Sequence, residues 1–181
     1  MESAKKPPIG EFEELLTDDN VRSMQIIQAA LGSGVLIFVV IVIAMYFSYA
    51  TDEATGSADF VWMLTLIHFV AAAIMFVLSS WMYKRRLTEQ AVRRASGEDT
   101  INAGSCLEAL RSAIIIRLGL LEGAAFYGLV VCIVAVMNGV MNENAIFWIN
   151  LFSAFVMLFF VIWLFPSRER LIEFYKNDFQ F

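Results

Sequence analysis

Two ionisable residues lie within one long apolar stretch of the chain. Arg117 and Glu122 belong to the segment IIIRLGLLEGAAFYGLVVCIV at 114–134. If this segment enters a bilayer as a helix near residue 112, Glu122 lies about 15 Å deep and Arg117 about 8 Å deep. A carboxyl group near the bilayer centre is suited to holding a reversible proton or cation, whereas the longer arginine side chain can reach water. The sequence therefore predicts a proton or ion site at Glu122, with Arg117 as a second candidate residue.

The spacing of these two charges is unfavourable for direct pairing. Five residues at ~100° each place them about 140° apart around one helix. Glu122 therefore needs a partner from another helix, or it must carry a proton. We expect His68, the single histidine, to lie at nearly the same depth, about 12 Å, and to pair with Glu122. Three further polar residues are expected near these depths, namely Ser33, Ser153 and Gln28.

Four long apolar segments must position these groups. They cover residues 24–49, 60–83, 112–137 and 145–165. Each is long enough to cross a hydrocarbon core of ~30 Å as a helix, and a helix satisfies its own backbone hydrogen bonds in lipid. The composition agrees, because 59% of residues are hydrophobic and only 17% are charged. We predict an all-α fold, specifically an integral membrane four-helix bundle.

The basic residues predict the orientation of this bundle. Except for Arg117, every lysine and arginine lies in the acidic N-terminal segment 1–22, the loop 84–111 or the tail 167–181. The two other connectors between spans contain none. The positive-inside rule therefore places both termini and the central loop in the cytoplasm, around a transmembrane region at 23–166. The expected location is the plasma (bacterial inner) membrane, which the chain crosses several times.

Aromatic and small residues indicate how the spans are anchored and packed. Four tryptophans lie at predicted span ends, where they would act as interface anchors: Trp62, Trp81, Trp148 and Trp163. Small residues at four-residue spacing allow close approach of helix backbones. Such positions are found around Glu122 and in the first span: Gly119 and Gly123, Ala30 and Gly34.

The segments outside the spans allow more than one interpretation. The N-terminal segment, with Pro7 and Pro8, either forms a short surface helix after the prolines or is disordered. The central loop contains a helix-like stretch that ends at a break predicted at Ser96 and Gly97. After Pro166 the charged and aromatic tail suits a helix lying at the inner interface, with a docking site for a partner as the alternative.

Several functional classes are disfavoured. The chain has no recognisable nucleophile–base set, metal-ligand cluster or phosphate-binding loop, so we expect no catalytic residues, no cofactor and no metal. Cys106 and Cys132 are spaced for neither a disulfide framework nor a metal site. A net charge of −5 without a basic domain argues against nucleic-acid binding. The expected partners are the lipid bilayer and either further copies of the chain or other membrane subunits.

The residues from Glu122 onward, EGAAFYGLVVCIV, resemble the carboxylate-bearing helix of the rotor-ring proteolipid, the c subunit, of rotary ATPases. Those helices often carry a glutamate followed five residues later by an aromatic residue, then Gly-Leu and branched aliphatic residues. Here these positions are Glu122, Tyr127, Gly128 and Leu129. The resemblance implies that Glu122 is a reversible proton or cation site.

A second resemblance covers more of the chain. The motifs LGSGVLIF in the first span and RLGLLEGAAFYG in the third, with PSRE at 166–169, are similar to small four-helix bacterial membrane proteins of unassigned function. Two interpretations of function stay open. The chain is a non-catalytic component of an oligomer or membrane complex with a proton- or ion-responsive site at Glu122, His68 and Arg117. Alternatively, it is a structural accessory or assembly subunit whose polar residues only fix helix packing.

Overall fold

The computed structural model describes residues 9–49, 57–95 and 103–178, which are almost entirely helical. The elements are α1 (Ile9–Leu15), α2 (Asp18–Tyr49), α3 (Ala58–Ala95), α4 (Ala103–Met137), α5 (Val140–Glu143), a 3-10 helix (Ala145–Leu151), α6 (Phe152–Trp163) and α7 (Arg168–Asp178). None of the residues described lies in a strand. The all-α prediction is therefore confirmed. Pro7, Pro8, the connector at 50–56 and the helix break predicted at Ser96 and Gly97 lie outside the described residues.

Four of the described helical segments are long and apolar enough to cross a membrane. They are α2, the Ala58–Thr88 part of α3, α4, and the 3-10 helix together with α6. Large apolar side chains cover the outside of these helices: Phe47 and Ile162 are each 73% exposed and Leu66 is 68% exposed. An apolar outer surface of this kind is the one expected of helices that face hydrocarbon.

The fourth apolar segment does not begin as an α-helix. After α4 ends, Gly139 turns the chain with a φ of 71°, a left-handed conformation that favours glycine. The short helix α5 follows, and the Asn144 side chain then accepts a 3.1 Å hydrogen bond from the Ile146 amide. This cap starts the 3-10 helix, which continues into α6 at Phe152.

Helix α4 is the centre of the bundle. Half of its most apolar stretch is buried, against 22% in α2 and 17% in α3. Helices α2, α3 and α6 all pack against α4, whereas α2 and α3 make little contact with each other in the described part of the chain. One stripe of α4 is consequently exposed. We call this stripe the open face of α4; it consists of Glu108, Gly119, Gly123, Val130 and Met137.

Helices α1 and α7 close the end of the bundle at which the chain's two described termini lie, here called the terminal end. The rings of Phe12 and Tyr175 stack with their centroids 4.1 Å apart, and both side chains are buried. Arg168 donates a hydrogen bond to the backbone oxygen of Glu13. Leu16 and Leu171 are buried in the same hydrophobic core. Helices α1 and α7 therefore pack on each other, and α1 also packs on α4.

Candidate functional site

A buried hydrogen-bonded cluster forms around His68, where α3 meets the start of the fourth apolar segment. The imidazole Nδ1 lies 2.9 Å from Oδ1 of Asn150, and Nε2 lies 3.0 Å from the hydroxyl of Ser153. The Asn150 amide nitrogen donates to the hydroxyl of Thr65 and to the backbone oxygen of Phe147, each at 3.0 Å. We call His68, Thr65, Asn150 and Ser153 the histidine cluster.

The histidine cluster is satisfied by a neutral imidazole. Because the Asn150 amide nitrogen donates to two other oxygens, the atom that faces His68 is Oδ1, which can only accept a hydrogen bond. Nδ1 of His68 is then the donor, and the unprotonated Nε2 faces the Ser153 hydroxyl, which also lies 3.4 Å from the backbone oxygen of Asn150. His68 is fully buried, with the Tyr127 ring edge-on at a centroid distance of 5.6 Å. Such a saturated network holds α3 and the fourth segment in one register.

Gly128 of α4 lets this cluster approach the central helix. A β-carbon at this position would overlap the backbone oxygen of Asn150 and would lie 2.7 Å from the Ser153 hydroxyl and 2.8 Å from Cε1 of His68. Backbone atoms of a helix cannot move aside cheaply, so any larger residue would push the 3-10 helix away from α4. Gly128 therefore has a packing role.

Glu122 lies on a different side of α4 from the histidine cluster, beside α2. Its Oε1 is 3.7 Å from the position that a β-carbon on Gly34 would occupy, and its side chain is only partly buried. No hydrogen bond or ion pair joins Glu122 to another described residue. The α4 residues near His68 include Ala124, Tyr127 and Gly128. Glu122, two residues before Ala124, points about 160° away, so the expected His68–Glu122 pair does not form.

Arg117 lies on the α3 and α6 side of α4, near the terminal end. Its guanidinium carbon is 5.1 Å from the ring centroid of Tyr83 and 4.6 Å from that of Phe160. Both distances are typical of cation–π contacts. Arg117 also lines a cavity of about 420 Å³ together with Arg170 and Glu173 of α7. Arg117 and Glu122 thus point to different sides of α4, as their spacing predicts.

Gln28 and Ser33 bind backbone oxygens. The amide of Gln28 donates at 2.7 Å to the backbone oxygen of Val161, one of the last four carbonyls of α6, which lack helical partners. The Ser33 hydroxyl donates at 3.0 Å to the backbone oxygen of Ala30 in its own helix. Gln28 therefore ties α2 to the end of α6, and neither side chain joins Glu122 or the histidine cluster.

The predicted packing residues differ in their environments. Gly34 lies against Glu122, and a β-carbon on Gly123 would lie 3.6 Å from the Met75 sulfur of α3. A β-carbon on Gly119 would meet nothing within 4 Å, and Ala30 is exposed on α2. Close α2–α6 packing is instead made at Gly32, where a β-carbon would lie 3.1 Å from Val161.

Of the predicted anchor tryptophans, Trp62 lies near the start of α3 and Trp163 ends α6, whereas Trp81 lies inside α3 and Trp148 inside the 3-10 helix. Trp62, Trp81 and Trp163 are 43%, 50% and 59% exposed. Trp148 is partly buried and meets Tyr46 of α2 edge-on at a centroid distance of 5.1 Å. The guanidinium of Arg85 lies 5.0 Å from the Trp81 ring centroid.

Of the predicted site residues, the structure brings together only His68 and Ser153. Thr65 and Asn150 complete their cluster, and the site prediction contained neither. A signal for them exists in the sequence: Thr65 and His68, like Asn150 and Ser153, are three residues apart and so share a helix face within otherwise apolar segments. The described residues contain no group of three or more His, Cys, Asp or Glu side chains that could hold a metal ion.

Comparisons of the chain with protein-family models, with curated proteins and with solved structures found no match. Function must therefore be inferred from the geometry of the chain itself.

Proposed function

We propose that this protein is a multi-pass protein of the plasma (bacterial inner) membrane with both termini in the cytoplasm. Four apolar helices with apolar outer surfaces support the membrane location. The orientation is supported by the basic residues of α7 and by Arg85 and Arg86 of α3, which the bundle carries at its terminal end. Within this membrane the chain acts as a non-catalytic component of an oligomer or a larger complex.

The surface through which it assembles is the open face of α4, and the observation that carries this proposal is the position of Glu122. Its carboxyl group lies at the edge of the open face, without a hydrogen bond to any described residue. Gly119, one turn before it, leaves space for another backbone. A polar side chain beside a bare glycine is the combination that joins transmembrane helices in lipid, through a hydrogen bond and close packing.

A partner helix on this face would supply the donor that Glu122 lacks within the described chain. Glu122 then serves as the proton- or ion-responsive group, because gaining or losing its proton changes the bond to the partner. His68 and Arg117 lie on other sides of α4 and hold the bundle together. The proposed responsive site is thus smaller than the three-residue site predicted from the sequence.

A purely structural role is the second candidate, and the histidine cluster favours it. Each polar side chain of this cluster has a hydrogen-bond partner, and the cluster is buried against Gly128. Saturated networks of this kind fix helix register. If all polar groups of the chain acted in this way, Glu122 would matter only for stability.

The two roles are separated by substitutions on the open face, studied in the full-length protein. After an alkaline carbonate wash the protein should remain in the membrane fraction. In mild detergent the wild type should form a complex larger than a monomer, measured by light scattering and native mass spectrometry. Gly119→Leu should reduce the complex to the monomer, because the new side chain blocks the face at a position where a β-carbon meets nothing within 4 Å. Glu122→Gln should weaken it about tenfold.

Ala44→Leu is the matched control. Ala44 is exposed on α2 and, two residues from buried Val42, faces away from the bundle. This variant should assemble like the wild type. A wild-type monomer, or equal effects of Gly119→Leu and Ala44→Leu, would contradict assembly through the open face. A Glu122→Gln variant that assembles normally but unfolds more readily would support the purely structural role.

A further inference from the structure

Two cavities lie one above the other along the seam between α3 and α6, with α4 as their floor. The cavity of about 420 Å³ at the terminal end is the polar cavity. The second cavity, about 460 Å³, is lined almost entirely by apolar side chains and is the apolar cavity. Both volumes fall within the range of ~300–1,000 Å³ typical of ligand sites.

One face of α4 connects the two cavities. Arg117 lines the polar cavity, and Leu121 and Ala124, one and two turns further along the same face, line the apolar cavity. Two turns correspond to about 10 Å along the helix. Phe160 of α6 lies between the cavities, since Arg117 is over its ring and Phe76, a wall of the apolar cavity, is 6.1 Å away centroid to centroid. These two rings therefore lie between the cavities, and a ligand that occupies both must pass over the exposed side of Phe76.

The polar cavity has the chemistry of a phosphodiester site. Arg117 and Arg170 bring two positive charges and Glu173 brings one negative charge, so its lining carries one net positive charge. One nitrogen of Arg170 donates to the backbone oxygens of Ile162 and Trp163, which leaves its other nitrogens as further donors. Asn177 and Glu173 offer hydrogen bonds to hydroxyl groups.

The apolar cavity has the chemistry of an acyl-chain site. Its walls are aromatic and aliphatic, with Phe69, Phe76 and Phe152 among them. Its width comes from two adjacent alanines of α3, Ala72 and Ala73, which keep side-chain volume out of the seam. The histidine cluster closes the far end through His68 and Ser153.

We propose that this seam binds one anionic phospholipid of the phosphatidylglycerol type, with its phosphate at Arg117 and Arg170 and an acyl chain in the apolar cavity. Charge complementarity selects an anionic head, and a single net positive charge matches the single charge of a phosphodiester. The polar cavity lies at the terminal end, where the headgroups of the inner leaflet would be. The site depends on the proposed membrane location and orientation but not on the open face of α4.

The test uses the full-length protein in nanodiscs or detergent, with bound lipid counted by native mass spectrometry. Phosphatidylglycerol should bind at least tenfold more tightly than phosphatidylcholine. Arg117→Gln and Arg170→Gln should each weaken phosphatidylglycerol binding about tenfold, since each removes a charge-assisted hydrogen bond. Arg22→Gln makes the same charge change at an exposed position of α2 outside the seam, and it should alter binding less than twofold.

Ala73→Phe tests the acyl-chain half of the site. It should weaken phosphatidylglycerol binding about tenfold by filling the apolar cavity, whereas Ala44→Phe, on the outer side of α2, should not. Inorganic phosphate alone should bind far more weakly than the lipid. Equal binding of the two phospholipids, or equal effects of Arg22→Gln and Arg117→Gln, would overturn the site. Tight binding of inorganic phosphate would reassign it to a free anion.

Two further variants separate loss of lipid binding from misfolding and from loss of assembly. If Arg117→Gln does not fold, Arg117→Lys retains the charge but loses the paired donors, and it should still weaken binding several-fold. Gly119→Leu should leave phosphatidylglycerol binding unchanged. Loss of lipid binding without loss of assembly, or the reverse, thus shows which of the two proposals has failed.

Discussion

Gly128 shows how much a single residue determines in this fold. The Asn150 backbone, the Ser153 hydroxyl and the His68 ring all lie where a β-carbon would be. A helix that presents a bare backbone at this point lets the 3-10 helix come close, and the histidine cluster then closes around it. The sequence shows the glycine, but its role depends on a backbone oxygen that is distant in sequence.

Gly128→Ala is therefore expected to destabilise the protein by about 1–3 kcal/mol, because an overpacked contact with backbone must be relieved. The measurement is unfolding in detergent, followed by circular dichroism. Gly119→Ala is the matched control in the same helix. It meets nothing within 4 Å and should be neutral or slightly stabilising through helix propensity. Equal unfolding midpoints for the two variants would contradict the close approach at Gly128.

At the scale of elements, some polar side chains connect helices by binding backbone oxygens at a helix end. Gln28 satisfies a carbonyl at the end of α6, and Arg170 satisfies two more. Helices α1 and α7 cover the terminal end by packing on each other, and α1 also packs on α4. The sequence predicted helical character for the tail but allowed disorder for the N-terminal segment. Neither segment contains a pattern that shows that it packs on the other.

Phe12 is the residue through which α1 docks, since its ring is fully buried against Tyr175. Phe12→Ala should release α1 while the four apolar helices stay folded. Hydrogen exchange read by mass spectrometry should show faster exchange at 9–15 and no change in α4. Glu14→Ala, at an exposed position of the same helix, should leave exchange as in the wild type. Unchanged protection of α1 in Phe12→Ala would contradict the docking contact.

At the scale of the whole molecule, the sequence was sufficient to predict four apolar helices and an all-α fold, because length and hydrophobicity decide both. It could not predict that α4 is central. Apolar residues surround each span, so no polar face marks which side meets another helix. The same limit explains why the predicted His68–Glu122 pair does not form, since residues at similar depth need not lie on the same side of α4. That Arg117 and Glu122 point to different sides of α4 could be predicted, because their spacing within one helix fixes their relative direction.

The open face of α4 has the most direct consequence for the whole molecule, since α2 and α3 leave it uncovered within the described chain. The decisive measurement is photo-crosslinking in native membranes, with a photo-reactive amino acid placed at Val130 on the open face or at Ala44 on the outer side of α2. We predict that Val130 gives one crosslinked product of defined mass, reduced by Glu122→Gln, and that Ala44 gives none. Crosslinking to lipid alone from both positions would contradict a partner helix on this face.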